Sequence, residues 1–388
     1  MEVEVVSPKT PEHNATGIAL QPHRDKHPNA KVIAFNVLAM DLALRLVPNT
    51  ERRISSKCRN SQMGHENLSL INKRQRASFR LCNVSGYKTD LLEIHAKDPK
   101  FHLLFIPGNP GVVTFYVDFL ESLYDLLGGI ASGRRLVAIS HIAQTEKVMG
   151  SSRGNSLLQK CKNWEHGRLF SLQEQTDHKM NFIEHELQDA EVPIVLIGHS
   201  IGSYITLDIF KRLQGKVTYC IYLYPFLAVN TKSSTQAFIK KIAASRTLCT
   251  GLSSIVAILG LLPAWISRIL VKNSVGNSWC PSAVEALCTH VLKYHTVQNM
   301  LYMAMTEFEK LSEEPDWSFV REKKSQMAFL FGSDDHWGPL HLYEEISNKV
   351  PGAVLAVEGG DYTHAFSCTD AGSLWVAQHV AGLIKNYF

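Results

Sequence analysis

The chain has 388 residues, 45% of them hydrophobic and 20% charged, with a formal net charge of +4; that content fills one large core or two moderate ones and excludes a disordered protein. No long Lys/Arg block accompanies the mild charge, which excludes a nucleic-acid footprint and leaves anionic surfaces open as partners. The eight cysteines, Cys58, Cys82, Cys161, Cys220, Cys249, Cys280, Cys288 and Cys368, are scattered with no C-x-x-C pair, and they read as reduced and structural, favouring a cytosol-facing protein.

Residues 1–78 read as a partly disordered N-terminal extension. Glu2, Glu4, Glu12 and Asp25 fit neither a secretory signal nor an acidic-poor transit peptide. In the stretch 32–47, Ile33, Val37, Met40, Leu44 and Val47 fall on one helical face, while Asp41 and Arg45 interrupt any span. That pattern suits an amphipathic surface helix, a helix packed on the core, or a poorly ordered extension. Residues 50–77, rich in Asn, Ser, Arg and Lys, read as a solvated linker.

From Phe79 the period changes to short strands, predicted at 79–84, 91–95 and 101–106. The third ends in Pro107-Gly108-Asn109-Pro110-Gly111, and Phe115, Phe119, Leu123 and Leu126 follow at helical spacing. A strand over 135–140 closes with His141, and a helix is expected over 172–187. His185-Glu186 lacks a second histidine four positions after the first, which excludes a zincin; no other histidines have ligand spacing, and no metal or cofactor is expected.

Val192-Pro193-Ile194-Val195-Leu196-Ile197 is a short, charge-free run, as expected of a strand buried on both faces. Ile201, Ile205, Ile209 and Leu213 then recur every four residues, as in a helix. Strand gives way to helix at Gly198-His199-Ser200-Ile201-Gly202, the pattern of a nucleophile elbow, in which small flanking residues permit the sharp turn that lifts a serine Oγ to the end of its strand. The helix start presents the Ile201 N–H to a developing oxyanion, assisted by the helix dipole. The alternative, a phosphate-type Gly-rich turn, lacks a following Lys-Ser/Thr, and no dinucleotide signature follows a strand. With an elbow at Ser200, the upstream turn 107–111 occupies the place of the second oxyanion donor, assigned to the Asn109 N–H; a tight turn without chemistry is the other reading.

A strand over 217–224 ends at Pro225, and 227–320 then breaks the strand–helix alternation. No charge occurs between Arg246 and Arg268, and 248–262 is rich in Leu, Ile, Val and Gly, approaching the ~20 residues of a bilayer span. A transmembrane helix, a Pro263-bent hairpin lying in one leaflet or monolayer with Trp265 at its interface, and a buried pair of cap helices all fit. All-round apolarity favours insertion into a membrane or lipid surface.

The sheet resumes over 326–331, followed by Gly332-Ser333-Asp334-Asp335-His336-Trp337. The turn presents a carboxylate after a late strand: Asp335 completes the spacing, and Asp334 is left to cap the helix expected near 341–349. The last strand, 353–358, leads to a loop carrying His364 before a C-terminal helix, giving the chain order Ser, Asp, His. Strands alternating with helices give an α/β class: a mostly parallel sheet covered on both faces. The expected division is 1–78 extension, 79–226 first part of the core, 227–320 helical lid and 321–388 second part of the core.

The combination of Phe105-Ile106-Pro107-Gly108-Asn109-Pro110-Gly111, Phe115-Tyr116, Ile139-Ser140-His141, Leu196-Ile197-Gly198-His199-Ser200-Ile201-Gly202-Ser203-Tyr204, Gly332 to Trp337 and His364-Ala365-Phe366 resembles the lipid-droplet-associated serine hydrolases, a group with the α/β-hydrolase fold. The resemblance runs from about Phe79 to the C-terminus. It implies Ser200 as nucleophile, Asp335 rather than Asp334 as acid, and His364 as base. It also implies an insertion between the sixth and seventh strands that docks on lipid droplets and on the cytosolic face of the endoplasmic reticulum membrane. The implied substrate is a neutral-lipid ester, a sterol ester or acylglycerol. The rival expectation is a lipid-droplet and membrane surface organiser that keeps the fold with weak or no hydrolase activity.

Overall fold

Runs of β-branched and aromatic residues punctuated by Gly and Pro become eight strands of one sheet. The computed structural model describes residues 76–95, 101–128, 134–145, 167–187, 192–275 and 279–388. The amphipathic stretch 32–47 and nearly all of the linker 50–77 lie outside the described residues.

In chain order the sheet elements are β1 (Ser78–Val84), β2 (Tyr87–Ile94), β3 (Phe101–Ile106), β4 (Arg134–Ile139), β5 (Ile194–His199), β6 (Val217–Leu223), β7 (Met327–Phe331) and β8 (Val354–Val357). Their spatial order is β1-β2-β4-β3-β5-β6-β7-β8. The β1–β2 and β2–β4 pairs are antiparallel, and all other neighbours are parallel. Every residue of β3, β5 and β7 is buried, which explains why these strands read as near-continuous apolar runs rather than alternating ones. The second strand begins four residues before the expected Leu91. Lys88, Thr89 and Asp90 mask its start, and a two-residue turn with positive φ at Ser85 (52°) and Gly86 (88°) closes the hairpin from β1. Glu93 of β2, fully buried, pairs with Arg80 of β1 at 2.8 Å and Arg135 of β4 at 2.9 Å. Its two guanidinium partners thus tie three strands together.

Helices connect the strands: α1 (Val117–Leu126) follows β3, α2 (Leu172–Glu186) precedes β5 and α3 (Ile201–Arg212) follows it. Between β6 and β7 the chain is helical: α4 (Ser234–Ala243), α5 (Arg246–Gly260), α6 (Ala264–Val275), α7 (Pro281–Ala286), α8 (Tyr294–Lys310) and α9 (Trp317–Glu322). After β7 come α10 (Leu340–Lys349) and, past β8, α11 (Asp370–Tyr387). The chain steps outward from β3 to β4 and then back across β3 to β5. Right-handed crossovers therefore put α1 and α2 on opposite faces, and the sheet reverses direction beside β3 and β5. In keeping with two layers, α1 packs on α11 and α2 packs on α3.

The charge-free run is not one continuous element. Pro263 separates α5 from α6, α4 and α5 meet at 96°, and no single helix among the described residues is long and apolar enough to cross a membrane. Nor is its environment uniform. Cys249, Leu252, Ser253 and Val256 bury one stripe of α5, while Leu248, Ile255 and Ile258 are exposed.

Candidate active site

Four loops meet at the C-terminal edge of the parallel strands: the turn after β3, the β5–α3 junction, and the loops after β7 and β8. Ser200 sits at the junction with φ 55° and ψ −124°, a conformation that a non-glycine residue holds only when its surroundings over-determine it. Those surroundings are specific. The Ser200 N–H donates to the Leu223 carbonyl (3.0 Å), the Ser200 carbonyl accepts from Phe226 N–H (3.1 Å) and Ser203 N–H (3.0 Å), and the Ser203 hydroxyl donates to the Gly198 carbonyl at 3.0 Å. The strand–helix angle is tight enough that a Cβ at Gly198 would lie 2.4 Å from the Gly202 carbonyl oxygen, and one at Gly202 would lie 2.3 Å from that of Ile106. Glycine at both places is a packing requirement.

As the first residue of α3, Ile201 carries one of the amides that have no intrahelical acceptor. The turn after β3 lies against the same point: a Cβ on Gly108 would be 2.9 Å from Ser200 Cβ. The next residue, Asn109, joins Pro110 through a cis peptide. Its side chain turns toward the β6–β7 insertion, where Nδ2 donates to the Met300 carbonyl (2.9 Å) and to Glu307 Oε1 (3.0 Å) of α8.

His364 and Asp335, 29 residues apart in sequence, are joined directly. His364 Nδ1 lies 2.8 Å from Asp335 Oδ2, and the other carboxylate oxygen accepts the Trp337 N–H at 2.8 Å. Asp335 is buried, whereas Asp334 is exposed and caps nothing, because Pro339 occupies the N-cap of α10. The second ring nitrogen, His364 Nε2, is buried without a hydrogen-bond partner, so it is not bonded to the Ser200 hydroxyl in this structure. Tyr224, Trp337 and His199 surround the imidazole, with ring centroids 6.0, 6.4 and 4.9 Å away.

His199 and Tyr116 have a place in this site that spacing alone did not reveal. The Tyr116 hydroxyl accepts from the Gly108 N–H (3.3 Å) and lies 2.8 Å from His199 Nδ1, and because the His364 carbonyl facing the other ring nitrogen can only accept, the phenol's own proton goes to Nδ1. The His199 hydrogen is therefore on Nε2, which donates to the His364 carbonyl at 3.0 Å. Burial, with His364 as a second cause, pushes His199 well below the ordinary histidine range, consistent with a neutral ring. This chain of bonds runs through the turn after β3, the residue before the elbow serine, and the loop after β8. The arrangement provides a hydroxyl on a strained elbow, an imidazole oriented by a buried carboxylate, and backbone amides beside the hydroxyl. These are the parts needed for acyl transfer through a covalent intermediate.

Residues 99–367 match the family described as lipid-droplet associated hydrolase. Curated relatives named lipid droplet-associated hydrolase include those of Mus musculus, 28% identical over 279 residues (69% of this chain and 80% of the relative), and Gallus gallus, 26% identical over 280 residues (71% and 83%). Solved structures with the same fold include a carboxylesterase of Nitrososphaera gargenis, with TM-score 0.52 and 16% identity, covering 80% of this chain and 98% of that one. A haloalkane dehalogenase of Agrobacterium tumefaciens matches with TM-score 0.57 and 11% identity, covering 80% and 97%. At these identities the structural likeness establishes the α/β-hydrolase fold alone.

Proposed function

We propose, because this chain belongs to the lipid-droplet associated hydrolase family, that it is a serine hydrolase cleaving carboxylic esters of neutral lipids, sterol esters or acylglycerols. In this reading it works at the surface of lipid droplets and on the cytosolic face of the endoplasmic reticulum membrane. Ser200 Oγ attacks the acyl carbonyl while His364 Nε2 takes its proton. Asp335 holds the Nδ1–H tautomer and stabilises the imidazolium. The N–H groups of Ile201 and Asn109 receive the oxyanion. His364 then gives its proton to the departing alcohol, and a water molecule, deprotonated by the same nitrogen, releases the acid and frees Ser200.

The observation that carries this reading is the 2.8 Å bond from His364 to buried Asp335, with Nε2 left uncommitted in a loop tied to the elbow through His199. Docking at a lipid surface is supported by the exposed apolar edge of α5 and α6: Leu248, Ile255, Ile258, Leu261, Trp265 and Ile269. Exposed Lys240, Lys241, Arg246 and Lys272 accompany it, a composition suited to an interfacial face.

The decisive experiment compares wild type with Ser200→Ala for fluorophosphonate labelling and for turnover of a sterol ester, a triacylglycerol and a short acyl ester. Labelling should vanish and turnover should fall on the order of 10⁴-fold or more; unchanged labelling eliminates Ser200 as nucleophile. One observation favours a second reading, a surface organiser with little turnover: no hydrogen bond reaches His364 Nε2. Apo sites often close this bond only around substrate. A lipid-organising phenotype that survives Ser200→Ala supports the organiser.

A further inference from the structure

Glu307 is an acid in an unexpected place. It is 3% exposed on α8, the long helix of the β6–β7 insertion, and no lysine, arginine or histidine pairs with it among the described residues. A buried, unpaired carboxyl is costly unless its polar atoms are used. Its carboxyl accepts from Asn109 Nδ2, 3.0 Å away and 198 positions earlier in the chain. The same amide donates to the carbonyl of Met300, seven residues before Glu307 on α8 and therefore on the same helix face. Because the Met300 carbonyl can only accept, Nδ2 faces α8 and the orientation of the Asn109 amide is fixed. Burial lifts the Glu307 carboxyl to about 8, with the Asn109 hydrogen bond opposing, so near neutral pH it is largely a neutral acid whose carbonyl oxygen accepts from Asn109.

We propose that Glu307 is a positioning residue: from the insertion it grips the Asn109 side chain and keeps the 107–111 turn seated against Ser200. The inference rests on the serine-hydrolase reading above and adds a residue to it. Gly108 fills the gap between Asn109 and the elbow, where even a methyl group would lie 2.9 Å from Ser200 Cβ. A displacement of Asn109 therefore moves the amide assigned to the oxyanion relative to the nucleophile. The grip also links the site to the exposed apolar edge, since α5 packs on α8 and the Gln298 amide of α8 donates to Ser253 Oγ of α5 at 3.1 Å. The lipid-facing helix and the oxyanion turn thus share one support.

The test uses the full chain, with fluorophosphonate labelling rate and kcat and KM on a short soluble acyl ester as readouts. Glu307→Leu should lower the labelling rate and kcat by about ten- to a hundred-fold while KM stays within about threefold, as expected when a transition-state donor is misplaced. Glu307→Gln, which keeps the acceptor oxygen, should restore most of that loss. Asn109→Ala keeps its backbone N–H but cuts the same bond from the other side. It should reproduce the defect, and adding Glu307→Leu to it should cost at most about twofold more, because interacting residues are not additive. Where Glu307→Leu fails to fold, Asn109→Ala and Glu307→Gln carry the comparison. Wild-type labelling in both Glu307→Leu and Asn109→Ala, or losses that multiply in the double variant, overturns the grip and leaves the hydrolase reading intact. A wild type that fails to label at Ser200 overturns both.

Discussion

His199 Nε2 donates to the carbonyl oxygen of His364 across 3.0 Å, so the residue before the elbow serine holds the backbone of the residue proposed as base. The two positions are 165 residues apart in the chain. The bond requires the hydrogen to be on Nε2, and the Tyr116 hydroxyl enforces that tautomer by donating to Nδ1. One phenol thus serves two loops: it accepts from the Gly108 N–H on one side and fixes His199 on the other. The two loops thus meet around the Asp335 carboxyl, which is bonded to His364 Nδ1 and to the Trp337 N–H.

Removing that phenol should be felt as lost stability. Tyr116→Phe keeps the ring packed but leaves a buried N–H and a buried ring nitrogen without partners, at a cost of about 1–3 kcal/mol. Chemical denaturation should show a lowered midpoint with an unchanged slope. A variant as stable as wild type would mean that the Tyr116–His199–His364 chain contributes nothing.

The two adjacent aspartates should separate cleanly. Asp335→Asn replaces the partner of His364 Nδ1 and favours the wrong ring tautomer, so ester turnover should fall by roughly 10⁴-fold in a folded protein. Asp334 is exposed and touches neither His364 nor a helix N-cap, so Asp334→Asn should turn over within about twofold of wild type, as surface substitutions do. Equal losses in both variants would refute the assignment of the acid.

The strands were readable because β3, β5 and β7 are buried on both faces and almost wholly apolar, with His102 inside β3 and His199 closing β5 as the exceptions. The elbow was readable because its Gly-x-Ser-x-Gly spacing is local in the chain, although only Gly198 answers to crowding within a few residues and Gly202 is crowded by the distant Ile106 carbonyl. What could not be read depends on distance along the chain. Nothing near Tyr116 signals that its hydroxyl meets His199, and nothing near Glu307 signals Asn109. The charge-free run showed only that the segment is apolar all round, which favoured insertion into a membrane or lipid surface; tertiary packing gives α5 one stripe in the core and leaves another exposed. A window of sequence reports how apolar a helix is, but the neighbours decide which side is covered.

That exposed stripe makes a prediction about docking. Leu261 is 84% exposed and Trp265 64% exposed, so Leu261→Glu with Trp265→Glu should leave the melting temperature close to wild type. The same pair places two charges where an apolar face would enter a monolayer, so flotation with phospholipid-coated triacylglycerol droplets should lose most of the bound protein. Undiminished flotation would move the docking surface elsewhere in the chain.

Glu307 makes the stability of the fold depend on pH with a definite sign. Its carboxyl is raised from 4.5 to about 8, burial being the main cause. Between these values the folded state holds a proton that the unfolded state has released, so stability declines as pH rises. The contribution is fully present below about 4.5 and is lost as pH passes about 8. Glu307→Gln has no such titration and keeps an acceptor for Asn109. The unfolding free energy of the glutamine variant relative to wild type should therefore climb steadily from pH 5 to about pH 8 and level off above it, with a total span on the order of several kcal/mol. A difference between the two proteins that stays constant across this range would show that the Glu307 carboxyl ionises as freely in the fold as in the unfolded chain.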